Sequence, residues 1–243
     1  MLRIALLALL AVPLVPFAGP LAAQPAGTRV TRTIVLGTSL RGRPIRAVEL
    51  GDPAGPVTLV VGVIHGTEPA GLGVVRRLRE LPLPAGVHLW LIPIVNPDGL
   101  AAGTRQNARG VDLNRNWPVA WVPNGRPWDG YYSGPRPLSE PENRVVRGFI
   151  LRIRPALTIW YHQPLALVYG SDPHVAVLKR YARLTGLPYR RLTAPPGAAT
   201  RWERLRFLHA PHFVVEFPAG PPSVAAVRRH AAAILRLAPR VLP

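Results

Sequence analysis

Residues 57–68 read VTLVVGVIHGTE, and the architecture can be worked out from this segment. Residues 57–64 form an unbroken apolar run that is rich in β-branched side chains. Such a run is typical of a strand whose two faces are both covered by other elements. Pro69 then predicts the first turn of a helix that continues to Leu81. The segment is therefore interpreted as a buried strand followed by a helix.

The same alternation continues on both sides of this segment. A β-hairpin is predicted on its N-terminal side, and strands alternate with helices on its C-terminal side. The hairpin pairs 31–36 with 45–50, and the further predicted strands are 87–95, 156–161 and 212–217. Three further helices are predicted: from an SEPE capping box at 139–142 to about 154, from a cap at 172–173 to 186, and over 223–237. We therefore expect a single α/β domain with a mixed, mostly parallel twisted sheet and helices on both of its faces.

Composition excludes several classes of protein. A chain of 243 residues with 48% hydrophobic residues can bury a core, so a wholly disordered protein is excluded. The absence of cysteine excludes a disulfide scaffold and a thiolate metal site, so any metal must be held by His, Asp or Glu. The net charge of +18 suits anionic surroundings. Because no helix-turn-helix or aromatic-basic ribbon accompanies that charge, we expect no nucleic-acid partner.

The N-terminus has the features of a targeting segment. Arg3 precedes an apolar run over residues 4–15, and small residues follow it up to residue 23. The run is shorter than the roughly 20 residues of a membrane-spanning helix, so we expect no stable membrane span. We interpret residues 1–23 as a secretory signal, with an uncleaved N-terminal anchor as the alternative. Residues 24–243 would then form a catalytic domain that is secreted or held in the cell envelope, in an oligomeric state that the sequence leaves open.

Two histidines and two glutamates lie at or just after the ends of predicted strands. They are His65, Glu68, His162 and Glu216. Ligands collect at the carboxyl ends of the strands in open α/β sheets, so these side chains are expected to share one site. Two histidines and one carboxylate form a known catalytic zinc set that leaves a fourth position open. The remaining carboxylate would then act as a general base on water.

A series of short polar motifs occupies the middle of the chain. The motifs are NPDG at 96–99, RQN at 105–107, GVDLNRNWP at 110–118 and SEPE at 139–142. Together with HGTE at 65–68 and the VVEFP around Glu216, they resemble the zinc carboxypeptidases of the carboxypeptidase A class. The resemblance covers about residues 30–235. It implies the fold of that family and one Zn²⁺ per chain.

The resemblance also implies how the metal site would work. His65, Glu68 and His162 would be the zinc ligands. Glu216 would be the general base that deprotonates the zinc-bound water and then protonates the leaving amine. The reaction would be hydrolysis of a C-terminal peptide or amide bond.

Three further residues receive roles from the same resemblance. Arg105 would stabilise the developing oxyanion, and Asn114 and Arg115 would bind the free carboxylate of a peptide substrate. A guanidinium can bind a carboxylate through two parallel hydrogen bonds, which agrees with the second role. Asp112 is better interpreted as a residue that orders the loop or orients a metal ligand.

Within that family the chain is closest in type to the short bacterial murein-peptide amidases. Those enzymes cleave the bond between the side-chain carboxyl of D-glutamate and diaminopimelate. The digestive members carry a tyrosine on a mobile loop, whereas residues 193–212 contain none, so no tyrosine receives a role. Arg201 lies where the family's side-chain pocket is built, and we expect it to meet an acidic group of the substrate. The role of Trp202 and the residue preferred at the cleaved end stay open.

Two other functions are compatible with these motifs. A zinc amidohydrolase of the desuccinylase and aspartoacylase type also uses an H-x-x-E motif and a later histidine, although the NPDG turn and the signal segment argue against it. A non-catalytic module that binds cell-wall peptides would retain the cleft. Such a module would be recognised by a missing ligand or base, and none is missing from the sequence.

Overall fold

A computed structural model describes residues 30–171 and 173–239, so the expected signal at residues 1–23 lies outside the described residues. Strands and helices alternate along most of the chain. The described elements are β1 (Val30–Thr38), β2 (Pro44–Gly51), β3 (Val57–Val61), α1 (Gly71–Glu80), β4 (His88–Ile92), α2 (Pro97–Ala102), α3 (Pro141–Ile153), β5 (Leu157–His162), β6 (Leu165–Tyr169), α4 (Val175–Thr185), β7 (Tyr189–Arg190), α5 (Ala199–Arg206), β8 (His212–Pro218) and α6 (Val224–Leu237).

The strands form one sheet in the order β1-β2-β4-β3-β5-β8-β6-β7. The central strands β4, β3, β5 and β8 are parallel, as are β6 and β7, whereas β1–β2, β2–β4 and β6–β8 are antiparallel. One face packs against α1, α4 and α6, and the other packs against α3 and α5. The predicted hairpin and the mixed, mostly parallel sheet with helices on both faces are confirmed.

Strand β3 is shorter than its apolar run predicts. The run continues to Ile64, but the strand ends at Val61. The adjacent position beyond β4 is Pro93, which has no N–H to extend the ladder. A Cβ atom on Gly62 would lie 2.5 Å from the carbonyl oxygen of Pro93, so the two segments approach too closely there for a side chain. The chain leaves the sheet early, and His65 lies in a loop rather than directly after the strand.

The NPDG segment begins a helix, where the sequence predicts only a turn. Asn96 is the N-cap of α2, and its Oδ1 accepts a hydrogen bond of 2.8 Å from the N–H of Gly99. Pro97 occupies the first turn, and Gly103 ends the helix with a φ of 66°. These residues suit a short helix because Asn caps the N-terminus and Gly adopts the left-handed C-terminal conformation.

Helix α3 begins and ends where the sequence predicts, but the predicted capping box does not form. Glu140 is the N-cap residue and makes no side-chain cap. Glu140 Oε2 instead accepts from the side chain of Asn107 at 2.8 Å, and Glu142 Oε1 accepts from the N–H of Leu40 at 3.0 Å. The box residues are therefore occupied by contacts to distant segments.

The remaining helices differ little from their predictions. Ser223 caps α6 through a hydrogen bond of 3.1 Å from the N–H of Ala226, and Gly186 ends α4 with a φ of 78°. The predicted cap at Asp172 lies outside the described residues. Strands β6 and β7 and helix α5 are additions that the sequence did not predict. Across residues 30–171 and 173–239, the helices are too short or too polar to cross a membrane.

Glu203 of α5 is a carboxyl group in the core between α5 and β5. It has no exposed surface, and its Oε2 accepts a hydrogen bond of 2.8 Å from the indole N–H of Trp160. Burial raises the pKa of Glu203 to about 8, although the hydrogen bonds from Trp160 and Thr158 lower it. The native protein therefore keeps a proton at neutral pH that the unfolded chain releases.

This proton makes the stability contribution of Glu203 depend on pH. Because the pKa of the folded state lies above the ordinary value of 4.5, stability is lost as pH rises from about 4.5 to about 8. Glu203→Gln mimics the protonated acid, so it should stabilise the protein by a few kcal/mol above pH 8 and by almost nothing at pH 4. Urea unfolding between pH 4 and pH 9 measures this difference.

Glu203→Ala is the control for that measurement. It leaves a cavity and an unpaired indole N–H, so it should destabilise the protein at pH 4. Because it also lacks the titrating carboxyl group, this deficit should shrink as pH rises towards 9. A stability difference between Glu203→Gln and the parent protein that stays constant from pH 4 to pH 9 would contradict the argument.

Candidate active site

Three side chains bring their ligand atoms together in the loops at the carboxyl ends of β3 and β5. Nδ1 of His65 lies 2.9 Å and Nδ1 of His162 lies 2.8 Å from Oε2 of Glu68, and the two nitrogens are 3.1 Å apart. All three residues are buried, and their ligand atoms lie within 4.8 Å of one another. Two imidazole nitrogens and one carboxylate are a donor set that fits Zn²⁺. These residues form a candidate metal-binding triad.

Asp112 lies behind this triad and orients His65. Its Oδ1 is 2.9 Å from Nε2 of His65, the ring nitrogen that faces away from the triad. A carboxylate there selects the tautomer that leaves Nδ1 free for a metal. Burial alone would raise the pKa of Asp112, but the charge and hydrogen bond of His65 and the charge of Arg105 hold it well below its usual range. The predicted contact between Asp112 and a candidate metal ligand is therefore present.

Glu216 lies beside the triad on the neighbouring strand. Strands β5 and β8 run parallel with His162 paired to Glu216 in the register. Glu216 is buried, and the N–H of Leu165 lies 3.4 Å from its Oε2. Burial raises the pKa of Glu216, the charge of His162 opposes this effect, and Glu68 adds to it. A carboxyl group with a raised pKa beside a metal site is suited to general-base chemistry.

Arg105 and Arg115, the two arginines that received roles from the resemblance, lie close together beside the triad. Arg105 donates to Oε1 of Glu68 at 2.6 Å and to Oδ2 of Asp112 at 3.0 Å. Arg115 donates to the backbone oxygen of Asn114 at 2.9 Å and approaches Asp112 at 4.0 Å. Their guanidinium carbons lie 5.4 Å and 4.9 Å from the centre of the Tyr131 ring. The sequence analysis did not identify Tyr131, because it lies in a loop without a recognisable motif.

Asn114 occupies a more internal position than Arg115. It is buried, and its Oδ1 accepts a hydrogen bond of 3.0 Å from the N–H of Ala199 at the start of α5. Its Nδ2 lies 3.4 Å from Nε2 of His162. Asn114 therefore connects the predicted substrate-binding segment to a metal ligand and to α5.

A groove of about 610 Å³ adjoins the triad on the side of α1. Thr67 and Gln163, the chain neighbours of two metal ligands, line it together with the segment around Gly220. Gln163 holds the groove walls together: its Oε1 accepts from the N–H of Ala70 at 3.0 Å, and its Nε2 donates to the carbonyl oxygens of Pro218 and Gly220 at 3.0 Å and 2.8 Å.

A much smaller pocket, of about 10 Å³, lies between the end of β6 and α5. Tyr169, Arg201 and Arg204 are among its lining residues, and Arg201 donates to the carbonyl oxygen of Ala194 at 3.3 Å. Burial raises the pKa of Tyr169 above its usual range, and the charge of Glu216 raises it further. The Tyr169 side chain therefore lies close to the general-base candidate. The sequence analysis did not identify it because strand β6 was not predicted.

Residues 83–180 match the model of a family described as zinc carboxypeptidase. The matched span contains Arg105, Asn114, Arg115 and His162. This part of the chain is therefore similar to the zinc carboxypeptidases. Two members of the candidate triad, His65 and Glu68, lie before the matched span.

Known proteins with similar sequences include amidases and carboxypeptidases. The chain is 32% identical over 148 residues to murein peptide amidase A of Escherichia coli strain K12. This match covers 56% of this chain and 60% of that protein. It is 29% identical over 144 residues to carboxypeptidase SOL1 of Arabidopsis thaliana, covering 52% of this chain and 28% of that protein. The matched stretches thus span less than two thirds of these relatives.

Solved structures with the same fold extend over most of the domain. The murein-tripeptide amidase of Escherichia coli O157 superposes with a TM-score of 0.72 at 28% identity, covering 90% of this chain and 95% of that one. Carboxypeptidase A of Helicoverpa armigera gives a TM-score of 0.74 at 22% identity, covering 86% of this chain and 68% of that one. The described part of the chain therefore has the same fold as these carboxypeptidases.

The contact between Asp112 and His65 predicts an effect on metal affinity. Asp112→Asn replaces the carboxylate with a neutral amide, so we expect zinc to bind about 10- to 100-fold more weakly. Competition with a chelator of known affinity measures this change. Asp98→Asn is the matched control, because Asp98 is an equally buried carboxylate that bonds Arg43 at 2.6 Å and does not contact the triad. Equal zinc affinity in Asp112→Asn and the parent protein would contradict the assignment.

Proposed function

We propose that the domain is a zinc metallohydrolase that cleaves the C-terminal amide bond of peptides, and that its substrate is the γ-D-glutamyl–diaminopimelate bond of murein peptides. One observation carries the proposal: the ligand atoms of His65, Glu68 and His162 converge beside Glu216, with Arg105 held against the same triad. A complete set of this kind favours catalysis over a purely binding role.

The residues divide the chemistry among themselves. Zinc, when bound by the triad, supplies a Lewis acid for a carbonyl group and for water. Glu216 accepts a proton from the attacking water and delivers it to the nitrogen of the leaving amine. Arg105 is fixed by its bonds to Glu68 and Asp112, so its guanidinium places a positive charge where the oxyanion develops.

The arginines support a substrate with two carboxylates. Arg115 is partly exposed beside the triad and can bind the carboxylate next to the cleaved bond. Arg201 and Arg204 line a small positive pocket beside Tyr169, and none of its lining residues is acidic. The pocket has a volume of about 10 Å³, so the second carboxylate of diaminopimelate, at the end of its side chain, would bind these guanidinium groups from outside the pocket. The names of two relatives, murein peptide amidase A and murein-tripeptide amidase, support the same substrate class.

A location outside the cytoplasm agrees with this substrate. The sequence begins with a segment that has the pattern of a secretory signal, and the net charge of +18 suits the anionic polymers of a cell wall. We therefore place the protein in the cell envelope or in the extracellular medium.

The first experiment combines metal content with turnover. The purified protein should contain about one zinc per chain and cleave L-Ala-γ-D-Glu-diaminopimelate, and a chelator should abolish the cleavage. Glu216→Gln should keep the zinc and lose activity by about two to four powers of ten, because it removes the proton acceptor.

Each other outcome of this experiment would contradict a different part of the proposed function. Zinc binding with cleavage of acyl-aspartate or succinyl-glutamate and none of peptides would indicate the desuccinylase and aspartoacylase type. Zinc binding without any turnover would indicate a binding module. Nearly full activity in Glu216→Gln would refute the role of that residue, and an absence of zinc after reconstitution would refute the triad.

The positive pocket predicts the preference for the released residue. The parent protein should cleave the diaminopimelate tripeptide more efficiently than the same peptide ending in lysine, which lacks the second carboxylate. Arg201→Ala should reduce this preference about 10- to 100-fold, the range for a lost charge-assisted hydrogen bond. The ratio of kcat/KM values measures it. Arg183→Ala, which removes the same charge from an exposed position of α4, is the control. An unchanged preference in Arg201→Ala would refute this role.

A further inference from the structure

Tyr131 contacts both of the arginines that the proposed function requires. The guanidinium carbon of Arg115 lies 4.9 Å from the centre of the Tyr131 ring, and that of Arg105 lies 5.4 Å from it. Among the described residues, this is the one aromatic ring that contacts two guanidinium groups. The ring is 55% exposed, so it lies at the surface of the cleft rather than in the core.

The backbone around Tyr131 is attached to the loop that carries the arginines. The N–H of Asp112 donates to the carbonyl oxygen of Tyr132 at 2.9 Å. The side chain of Gln106 donates to the carbonyl oxygen of Asp129 at 3.0 Å, and the side chain of Asn124 donates to that of Tyr131 at 3.0 Å. These bonds fix the backbone on both sides of Tyr131 in the sequence, so the fold holds this residue next to the loop that carries Arg105 and Arg115.

The chemistry of the contact suits cations that must remain available to a ligand. An aromatic face attracts a guanidinium through its quadrupole but carries no charge that would neutralise it. A carboxylate in the same place would compete with a substrate carboxylate for the N–H groups. The acidic partners of Arg105, Glu68 and Asp112, already occupy the N–H groups on its inner side.

We propose that Tyr131 is a positioning residue that holds two guanidinium groups side by side: that of Arg105, which stabilises the oxyanion, and that of Arg115, which binds the substrate carboxylate. The two like charges repel each other, and a shared ring offsets part of that repulsion while fixing the planes of both groups. This inference rests on the proposed function, because it assumes that Arg115 binds the substrate carboxylate. It adds a residue that neither the motifs nor the metal triad identify.

The test compares three variants of the full-length, zinc-loaded protein. Tyr131→Ala removes the ring and should lower kcat/KM for the diaminopimelate tripeptide about 5- to 30-fold, while zinc content stays at the parent level. Tyr131→Phe keeps the ring and should stay within about twofold of the parent protein. Trp128→Ala truncates an equally exposed aromatic residue of the same loop, and it should also stay within about twofold.

A binding measurement separates positioning from general damage. Calorimetric titration with free diaminopimelate, the expected product, should show weaker binding to Tyr131→Ala by the same factor and no change in Tyr131→Phe. The inference is overturned if Tyr131→Ala behaves like the parent protein, if Tyr131→Phe loses as much as Tyr131→Ala, or if Trp128→Ala loses as much. A parent protein that binds zinc but neither cleaves the tripeptide nor binds the product refutes the proposed function itself, and the inference with it.

Discussion

The buried carboxylate of Asp112 is the constraint on which the site depends. It has no exposed surface, yet it meets Nε2 of His65, the guanidinium of Arg105 and the backbone N–H of Asn114 within about 3 Å. A buried charge is tolerated only where partners of opposite charge and hydrogen-bond donors surround it. Those partners are a candidate metal ligand, a cation beside the candidate triad and the segment that we propose to bind substrate. The hydrogen bonds and charges that the buried Asp112 carboxylate requires therefore hold His65, Arg105 and Asn114 close to one another.

The sheet brings the other groups to this carboxylate. Because β3, β5 and β8 are parallel neighbours, the segments that follow them meet at one edge, which places the loop of His65, then His162, then Glu216 in a row. The long segment that carries the arginines has little regular structure. Buried side-chain amides there form hydrogen bonds to backbone groups that have no partner in a helix or strand. The side chain of Asn116, for example, donates to the carbonyl oxygens of Ser133 and Arg136 at 2.8 Å and 2.9 Å.

The sequence analysis succeeded where a pattern is local and failed where a contact is distant. The apolar runs predicted the sheet and placed two histidines and two glutamates at strand ends, since strand periodicity and strand ends are local properties. The resemblance to the zinc carboxypeptidases then identified His65, Glu68 and His162 among them as the expected ligands. Strand β6 has no regular alternation of buried and exposed side chains, and it pairs with β8, which lies far along the chain. Its residue Tyr169 was therefore not predicted to lie near the site. The Ser139–Glu142 box failed for the same reason, because its donors come from Leu40 and other distant positions.

The order of groups outward from Asp112 explains how the cleft keeps its positive charge. Acidic partners lie only on the inner side of Arg105, whereas the surface above both arginines is formed by an uncharged ring. If acidic groups surrounded the guanidinium of Arg115 on both sides, an incoming carboxylate would have to displace them at a large energetic cost. Because the Tyr131 ring is uncharged, an incoming carboxylate meets no competing anion there. The buried carboxylate of Asp112 and the exposed ring of Tyr131 therefore belong to one arrangement. The carboxylate holds the arginines from the inside, and the ring contacts them without neutralising their positive charge.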